Sequence, residues 1–219
     1  MPKLKRRCRD RLMLYYMFLC EQACGVTNEN PVRIVTSASL ANALEIDHTL
    51  VRKDLATIRV RGQSRVGFDA IHICDAIRKS LGLDRRYEAV LLGAGHLGGA
   101  LLAYPGFSVY GLTVAAAFDN DPQKVGCAFA GRVIRPMKAL RPYLRARPTR
   151  LAILTVPRDA AQRTADRLFG LGVDIIWNFT TVRLVVPAGV LVCHTYIARG
   201  LADIAYYLRN NTARTWRPH

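Results

Sequence analysis

The chain has 219 residues, a hydrophobic content of 51% and a formal net charge of +16, from 32 basic and 16 acidic residues. This length allows one large domain or two small ones, and the apolar content is ample for a core. So strong a positive charge is unusual for a metabolic enzyme and favours a polyanionic partner, although a solvated basic face would give the same composition.

The first part of the chain is predicted to be helical. Apolar spacing and capping residues predict four helices, over residues 8–24, 37–44, 48–58 and 69–81. Thr36 or Ser37 caps the second helix, and Asp47 caps the third. Residues 59–68 place two glycines among β-branched and basic residues, which predicts a small hairpin. Asp69 then starts the fourth helix.

Three helices followed by a basic hairpin are typical of a winged-helix DNA-binding domain, in which the third helix enters the major groove. Arg52 is suited to reading guanine through two hydrogen bonds, and Lys53 to binding phosphate. The candidate DNA contacts are Thr49, Arg52, Lys53, Arg59, Arg61, Ser64 and Arg65. Small helical domains with a charged third helix also occur without DNA, so this half alone leaves both interpretations open.

The segment Glu88–Asp119 contains the fingerprint of a dinucleotide-binding strand, glycine turn and helix. Gly93 permits the tight turn, Gly95 lets the backbone approach a pyrophosphate, and Gly98 lets the helix pack against the sheet. Asp119 lies where a carboxylate would bind the adenosine ribose hydroxyls and repel a 2′-phosphate. The pattern therefore predicts NAD(H), in preference to NADP(H), as the cofactor.

The remaining sequence alternates short apolar runs with helices, as in a doubly wound parallel sheet. Strands are predicted over residues 132–134, 151–156, 173–178, 184–186 and 190–194. Asp159 is predicted to cap a helix that ends near Leu171. An amphipathic helix over 196–208 must bury its apolar stripe, either on its own sheet or on a second subunit. The predicted domains are therefore residues 1–84, a winged helix, 85–195, a Rossmann fold, and 196–219, a terminal helix and tail.

Membrane insertion and metal binding are not expected. Residues 89–118 contain no charged side chain, but six glycines and Pro105 argue against a spanning helix and favour buried parallel strands. The basic N-terminus lacks the apolar core of a secretory signal, which favours a cytoplasmic protein. The six cysteines match no zinc spacing and are interpreted as reduced thiols.

The ordered series of motifs resembles the Rex family of bacterial redox-sensing transcriptional repressors over nearly the whole length. The motifs that carry the resemblance are Val51–Leu55, Gly67-Phe68, Gly93–Gly98, Tyr104–Phe107, Phe118–Gly126, Leu154–Arg158 and Asn178-Phe179. Each motif is weak by itself, but their order along the chain is specific.

The resemblance implies a homodimer with exchanged C-terminal helices, which NADH releases from operator DNA and NAD⁺ allows to bind. It also implies that Tyr104 changes partners between the two states and that Tyr196 lies beside the nicotinamide. The full set of candidate cofactor-binding residues is Gly93, Gly95, His96, Leu97, Gly98, Asp119, Lys124, Thr155, Tyr104 and Tyr196.

Two departures from the family pattern leave alternatives open. Relatives use an ion pair between the first helix and the partner's last segment, but the corresponding Met17 and Thr195 are uncharged. The wing has Gln63-Ser64-Arg65 in place of Thr-Arg-Gly. A protein with an altered or lost NADH response is therefore a second hypothesis. An NAD-dependent oxidoreductase is a third, but no tyrosine has a lysine four residues later, so we expect no enzyme.

Overall fold

A computed structural model describes residues 4–24, 33–63 and 65–210. The chain divides between Arg85 and Arg86 into two compact units. In the first unit, the helices are α1 (Arg6–Cys24), α2 (Ser37–Ala43), α3 (His48–Thr57) and α4 (Ala70–Leu81), and the strands are β1 (Ile34–Val35) and β2 (Phe68–Asp69). The four predicted helices are confirmed within two residues at each end.

Side-chain caps explain where the first-unit helices begin. Thr36, not Ser37, caps α2, because its side chain accepts a hydrogen bond from the Ser39 amide. Asp47 accepts from the amides of Thr49 and Leu50 and so begins α3. Helix α1 turns its predicted apolar stripe inward against α4, where Leu12, Tyr15, Leu19, Ile73 and Ile77 are fully buried.

The predicted hairpin is only partly correct. Among the described residues, Gln63 and Gly67 form a single antiparallel bridge, which closes a five-residue loop. The following strand β2 pairs with β1 and not with the other side of the loop. The wing is therefore a tight loop that leads into the β1–β2 ribbon, and not an extended hairpin.

A buried ion pair joins α1 to α3. Arg11 Nε and Nη2 donate to the two carboxylate oxygens of Asp54 at 2.6 and 2.8 Å, and the Tyr15 hydroxyl donates at 3.0 Å. Burial alone raises the pKa of Asp54, but the hydrogen bonds from Arg11 and its neighbours hold that pKa below its usual value. Burial, with Asp54 adding to it, raises the pKa of the Cys8 thiol to about 11. The cluster fixes the orientation of α3.

The second unit contains a seven-stranded sheet. Its strands are β3 (Tyr87–Leu92), β4 (Leu112–Asp119), β5 (Ala128–Phe129), β6 (Arg132–Pro136), β7 (Leu151–Leu154), β8 (Ile175–Asn178) and β9 (Leu191–His194). Its helices are α5 (His96–Ala103), α6 (Gly106–Val109), α7 (Leu140–Ala146), α8 (Arg158–Phe169) and α9 (Arg199–Asn210), with a 3₁₀ turn at Met137–Ala139.

The strand order β5-β6-β4-β3-β7-β8-β9 is that of a Rossmann fold with one antiparallel edge strand, β5. Alternate residues of β3 face two cores: Val90 and Leu92 pack with α7 and α8, whereas Ala89 and Leu91 pack on the opposite face. Burial on both faces accounts for the uncharged 89–118 run. The direction of winding reverses between β3 and β7, where open α/β sheets form ligand crevices.

Three second-unit predictions need correction. Residues 184–186 form no strand, because the side chain of Gln162 bonds both the amide and the carbonyl of Val185. Asp159 lies inside the first turn of α8, after its N-cap Pro157. Helix α9 begins at Arg199, three residues later than predicted, and its apolar stripe is exposed in the single chain.

Two further findings concern the described residues alone. None of their helices is both long and apolar enough to cross a membrane. Nor does any group of three or more histidine, cysteine or acidic side chains among them form a metal site.

We predict that Asp54→Asn lowers the stability of the first unit by about 2–4 kcal/mol, because Arg11 loses its charged partner while only 24% exposed. Hydrogen exchange of the α1 and α3 amides measures this change. Since the folded pKa of Asp54 is lowered, the stabilisation is present above the usual carboxyl range and is lost as pH falls through the folded pKa.

The surface pair Arg150–Asp174 supplies the control. Arg150 is 74% exposed, so Asp174→Asn should cost less than about 1 kcal/mol. Equal losses from the two substitutions would contradict a special role for Asp54.

Candidate functional site

The glycine turn lies at the point where the sheet reverses its winding. Gly93 has φ +96°, and a Cβ there would lie 2.7 Å from the Thr155 carbonyl oxygen. At Gly98 a Cβ would lie 1.9 Å from the Gly93 carbonyl oxygen, so α5 can begin this close to the strand only with glycine. A Cβ on Gly95 meets nothing within 4 Å. The turn therefore packs tightly at Gly93 and Gly98 and leaves open space at Gly95.

Thr155 and Asp119 hold this turn from the two neighbouring strands. The Thr155 hydroxyl lies 2.7 Å from the Gly93 carbonyl oxygen and 3.0 Å from that of Leu92. Asp119 Oδ2 accepts from the Ala94 amide at 2.7 Å. Thr155 and Asp119, both predicted to contact the cofactor, therefore also fix the backbone of the glycine turn.

A small charged cluster lies beside Asp119. Lys124 Nζ is 3.1 Å from Asp121 Oδ2 and 3.9 Å from Asp119 Oδ2. A hydrogen bond from the Gln123 amide and the nearby Lys124 hold the pKa of Asp121 below its usual value, and Asp121 raises the pKa of Lys124. Lys124 therefore stays protonated and partly balances two carboxylates.

A cleft of about 510 Å³ opens above these groups. Its polar side is formed by Gly93, Gly95, Asp119, Asn120, Asp121, Lys124 and Thr155. Its apolar side is formed by Met137, Val156, Pro157 and Ala160. A second pocket of about 460 Å³, lined by His96, Gln123, Cys127 and Phe129, shares Gly95 and Lys124 with the first. The glycine turn thus separates two concave surfaces.

Not all predicted cofactor residues reach these pockets. Gly93, Gly95, Asp119, Lys124 and Thr155 line the first and His96 lines the second, whereas Leu97, Gly98, Tyr104 and Tyr196 line neither. Gly98 serves helix packing. The sequence motifs did not predict the apolar wall, although two of its residues, Val156 and Pro157, lie within the Leu154–Arg158 motif.

The two tyrosines to which the resemblance assigns roles, Tyr104 in the switch and Tyr196 beside the nicotinamide, do not line the cleft in the single chain. Tyr104 is about half exposed and packs edge-on against Phe107, with ring centroids 5.1 Å apart. Tyr196 stacks on His194 at 5.4 Å. Their roles beside a nicotinamide or between two states stay predictions.

The structure shows the surroundings of Thr195 and Met17, the two uncharged residues at the positions of the family's ion pair. Thr195 Oγ1 accepts from Trp177 Nε1 at 2.8 Å, which ties the end of β9 to β8. Met17 on α1 is half exposed. Thr195 therefore has a neutral partner within its own unit.

The first unit forms a separate groove of about 930 Å³ between α3 and the wing. Five of the predicted DNA contacts line it, namely Thr49, Arg52, Lys53, Arg61 and Arg65. Arg59, whose backbone is left-handed (φ 63°) between α3 and the wing, does not line it. Ser64 lies outside the described residues.

The charge of the groove is not neutralised locally. Among the described residues, Arg52, Lys53, Arg61 and Arg65 have no carboxylate within 4 Å. The acidic residue next to them in sequence, Asp54, points inward to Arg11. The groove is therefore a concave, positively charged surface of the kind that binds nucleic-acid backbone.

Comparison with known proteins identifies the family of the chain. The family of CoA-binding domains matches residues 84–182. The redox-sensing transcriptional repressor Rex of Listeria welshimeri is 33% identical over 213 residues, which cover 97% of each chain. The chain belongs to the Rex family. This likeness confirms the resemblance drawn from the sequence motifs.

Solved structures of a Rex-family protein have the same fold. RSP in complex with β-NADH superposes with a TM-score of 0.86 at 26% identity and covers 97% of both chains. RSP in complex with β-NAD⁺ and operator DNA gives a TM-score of 0.85 and covers 97% of this chain and 95% of that one. The expected winged-helix and Rossmann architecture is therefore the fold of this Rex-family chain.

We predict opposite outcomes for two glycine substitutions. Gly98→Ala should destabilise the second unit by about 1–3 kcal/mol, because its Cβ collides with the Gly93 carbonyl. Gly95→Ala should leave stability nearly unchanged, since its Cβ enters open space. Urea unfolding followed by tryptophan fluorescence measures both, because Trp177 and Trp216, the two tryptophans of the chain, both follow Arg86 in the sequence. Equal destabilisation by the two variants would contradict the described packing of the turn.

Proposed function

We propose that this protein is a transcriptional repressor that binds operator DNA and is released from it by NADH. The observation that carries the proposal is the glycine turn, open at Gly95 and bordered by Asp119, in the same chain as a basic winged-helix groove. The sequence relatives are named redox-sensing transcriptional repressors, and RSP has been solved with NADH and with NAD⁺ and operator DNA.

The second unit fits a dinucleotide. Gly95 has room for a pyrophosphate against the start of α5, where unpaired amides and the helix dipole favour negative charge. Asp119 already accepts two backbone amides, from Ala94 and Asp121, and retains lone pairs for ribose hydroxyls. The carboxylates of Asp119 and Asp121 favour NAD(H) over a 2′-phosphorylated dinucleotide. The apolar wall around Met137 and Pro157 would cover the adenosine.

The first unit fits duplex DNA. In this mechanism α3 enters the major groove, where Arg52 reads a guanine edge and Lys53 and Thr49 contact the flanking backbone. Arg61 and Arg65 of the wing contact phosphates, and the Arg11–Asp54 pair holds α3 at a fixed angle. Arg59, which does not line the groove, and Ser64, which lies outside the described residues, stay candidate DNA contacts.

Coupling between the units needs two dimer shapes that bind NADH unequally. We propose a homodimer, because α9 exposes the apolar side chains of Leu201, Ile204 and Leu208 in the single chain and such a stripe needs a partner. The nicotinamide supplies only the redox signal, and its binding energy shifts the populations. A near-complete switch requires a differential of about 5 kcal/mol.

Met17 and Thr195 support a second candidate, a repressor with an altered or lost NADH response. An NAD-dependent oxidoreductase is less well supported, and we propose that the protein is not an enzyme and acts on DNA in the cytoplasm. Incubation with NADH and candidate keto acids tests this last point, since steady NADH oxidation would favour the enzyme.

Operator affinity measured by gel shift, with and without NADH, separates the first two candidates. Release of the duplex by NADH supports the redox-responsive repressor. The same affinity in both samples supports the protein that has lost the response.

We predict that Arg52→Ala weakens operator binding by about 1–3 kcal/mol and blurs the base preference, because the paired hydrogen bonds to guanine are lost. Competition binding with operator and scrambled duplexes measures both effects. Lys79→Ala, which removes one exposed positive charge from α4 outside the groove, is the control. Unchanged discrimination in Arg52→Ala would refute the role of α3.

We predict that Asp119→Ala weakens NADH binding while DNA affinity without cofactor is unchanged, because the ribose hydroxyls lose a charged acceptor. Isothermal calorimetry measures the first and fluorescence anisotropy the second. If NADH affinity stayed at the wild-type value, the ribose role of Asp119 would be wrong.

A further inference from the structure

The distribution of charge along the second unit is strongly uneven. Residues 122–158 contain no aspartate or glutamate. The same stretch contains nine basic residues, Lys124, Arg132, Arg135, Lys138, Arg141, Arg145, Arg147, Arg150 and Arg158. The proposed cofactor cleft uses only Lys124 of these. The remaining eight need another explanation.

Two of these eight have a charged or aromatic partner within the unit, and a third, Arg132, donates a hydrogen bond to the Ala130 carbonyl oxygen. Arg150 forms a bidentate ion pair with Asp174, and the Arg135 guanidinium lies 5.2 Å from the centre of the Tyr143 ring. Both interactions brace α7 and the strand that follows it. Asp174 balances one positive charge of the 122–158 stretch, and the Tyr143 ring carries no charge. Most of the positive charge of the stretch is therefore not balanced by these partners.

Four of the cations form one surface on and around α7. The α7 basic surface consists of Lys138, Arg141, Arg145 and Arg147, and all four are exposed. Arg141 and Arg145 are four residues apart and lie on one side of α7, Lys138 lies in the 3₁₀ turn that leads into it, and Arg147 follows its last residue. Among the described residues, none of the four has a carboxylate within 4 Å.

The neighbouring helix α8 shows what an ordinary solvated face looks like in this unit. Its exposed Arg163 and Arg167 alternate with Asp159 and Asp166. Helices α7 and α8 pack on the same face of the sheet, through Leu140 and Leu144 and through Ala161 and Ala165. The two helices therefore differ in charge balance, because α8 contains acidic residues and α7 contains none.

We propose that the α7 basic surface is a second DNA-binding surface, which holds the phosphate backbone of duplex DNA without reading its sequence. Like-charged side chains on one helix repel one another, and binding to a polyanion replaces this repulsion by attraction to its phosphates. A lipid surface is disfavoured because the apolar residues of α7, Leu140 and Leu144, are buried under the cations. The inference goes beyond the proposed repressor function, which places all DNA contacts in the first unit.

The test compares two double variants with the same charge change. Arg141→Gln with Arg145→Gln alters the α7 basic surface, and Arg163→Gln with Arg167→Gln alters α8. Both pairs are exposed arginines four residues apart. Each protein is titrated with a mixed-sequence duplex of about 60 base pairs, roughly six helical turns, over a series of sodium chloride concentrations. Matching thermal unfolding midpoints confirm that both variants fold.

The α7 variant should lose about tenfold in affinity per lost phosphate contact at ~0.1 M salt, and its plot of log K against log salt should be shallower by about 1–2. The α8 variant should keep the wild-type slope. Equal slopes for all three proteins, or equal losses in the two variants, would overturn the proposal. So would a loss of binding to anionic lipid vesicles in the α7 variant with an unchanged DNA slope.

Failure of this proposal can be told apart from failure of the repressor function. An unchanged slope with NADH-sensitive operator binding would remove the second surface and keep the repressor. A shallower slope without operator preference or NADH response would keep the surface and remove the redox-responsive repressor.

Discussion

The cofactor site depends on how the end of β3 is held between its two neighbours. The Gly93 amide donates to the Phe118 carbonyl of β4, and the Thr155 amide donates to the Leu92 carbonyl. Asp119 and the Thr155 hydroxyl then fix the next peptide group, between Gly93 and Ala94, from its amide and its carbonyl side. Because three parallel strands end together here, the glycine turn is preorganised and only Gly95 faces open space. A ligand can bind this surface without first ordering it.

In the first unit, a buried carboxylate holds the helix that carries the candidate DNA contacts. Helix α3 carries two exposed cations, and an acidic residue follows directly after them in sequence. Were Asp54 on the surface, it would neutralise the groove. Its carboxylate is instead 7% exposed and satisfied by Arg11 and Tyr15, so the same interaction orients the helix and leaves its outer face positive. The Arg11–Asp54 pair therefore links the position of α3 to the positive charge of its outer face.

The sequence predicted best where a local rule decides the structure. Caps at Thr36, Asp47 and Asp69 fixed helix starts, and the glycine spacing located the turn. It failed where contacts between residues far apart in sequence decide the structure. Gln162 hydrogen-bonds Val185 where a strand was predicted, and β1 pairs with β2 next to the wing. Arg11 gave no signal of its own, because a basic residue in a basic N-terminus looks solvated. Tyr104 and Tyr196 were assigned by resemblance, and the single chain does not bring them to the cleft.

The central claim is that a dinucleotide in the second unit and operator DNA on the first favour different shapes of one dimer. If NADH changes the affinity for DNA by some factor, DNA must change the affinity for NADH by the same factor. The claim can therefore be tested by measuring NADH binding. The direct measurement is the NADH dissociation constant by calorimetry, with and without saturating operator duplex. We predict weaker NADH binding to the DNA-bound protein. Identical constants in the two titrations would contradict it.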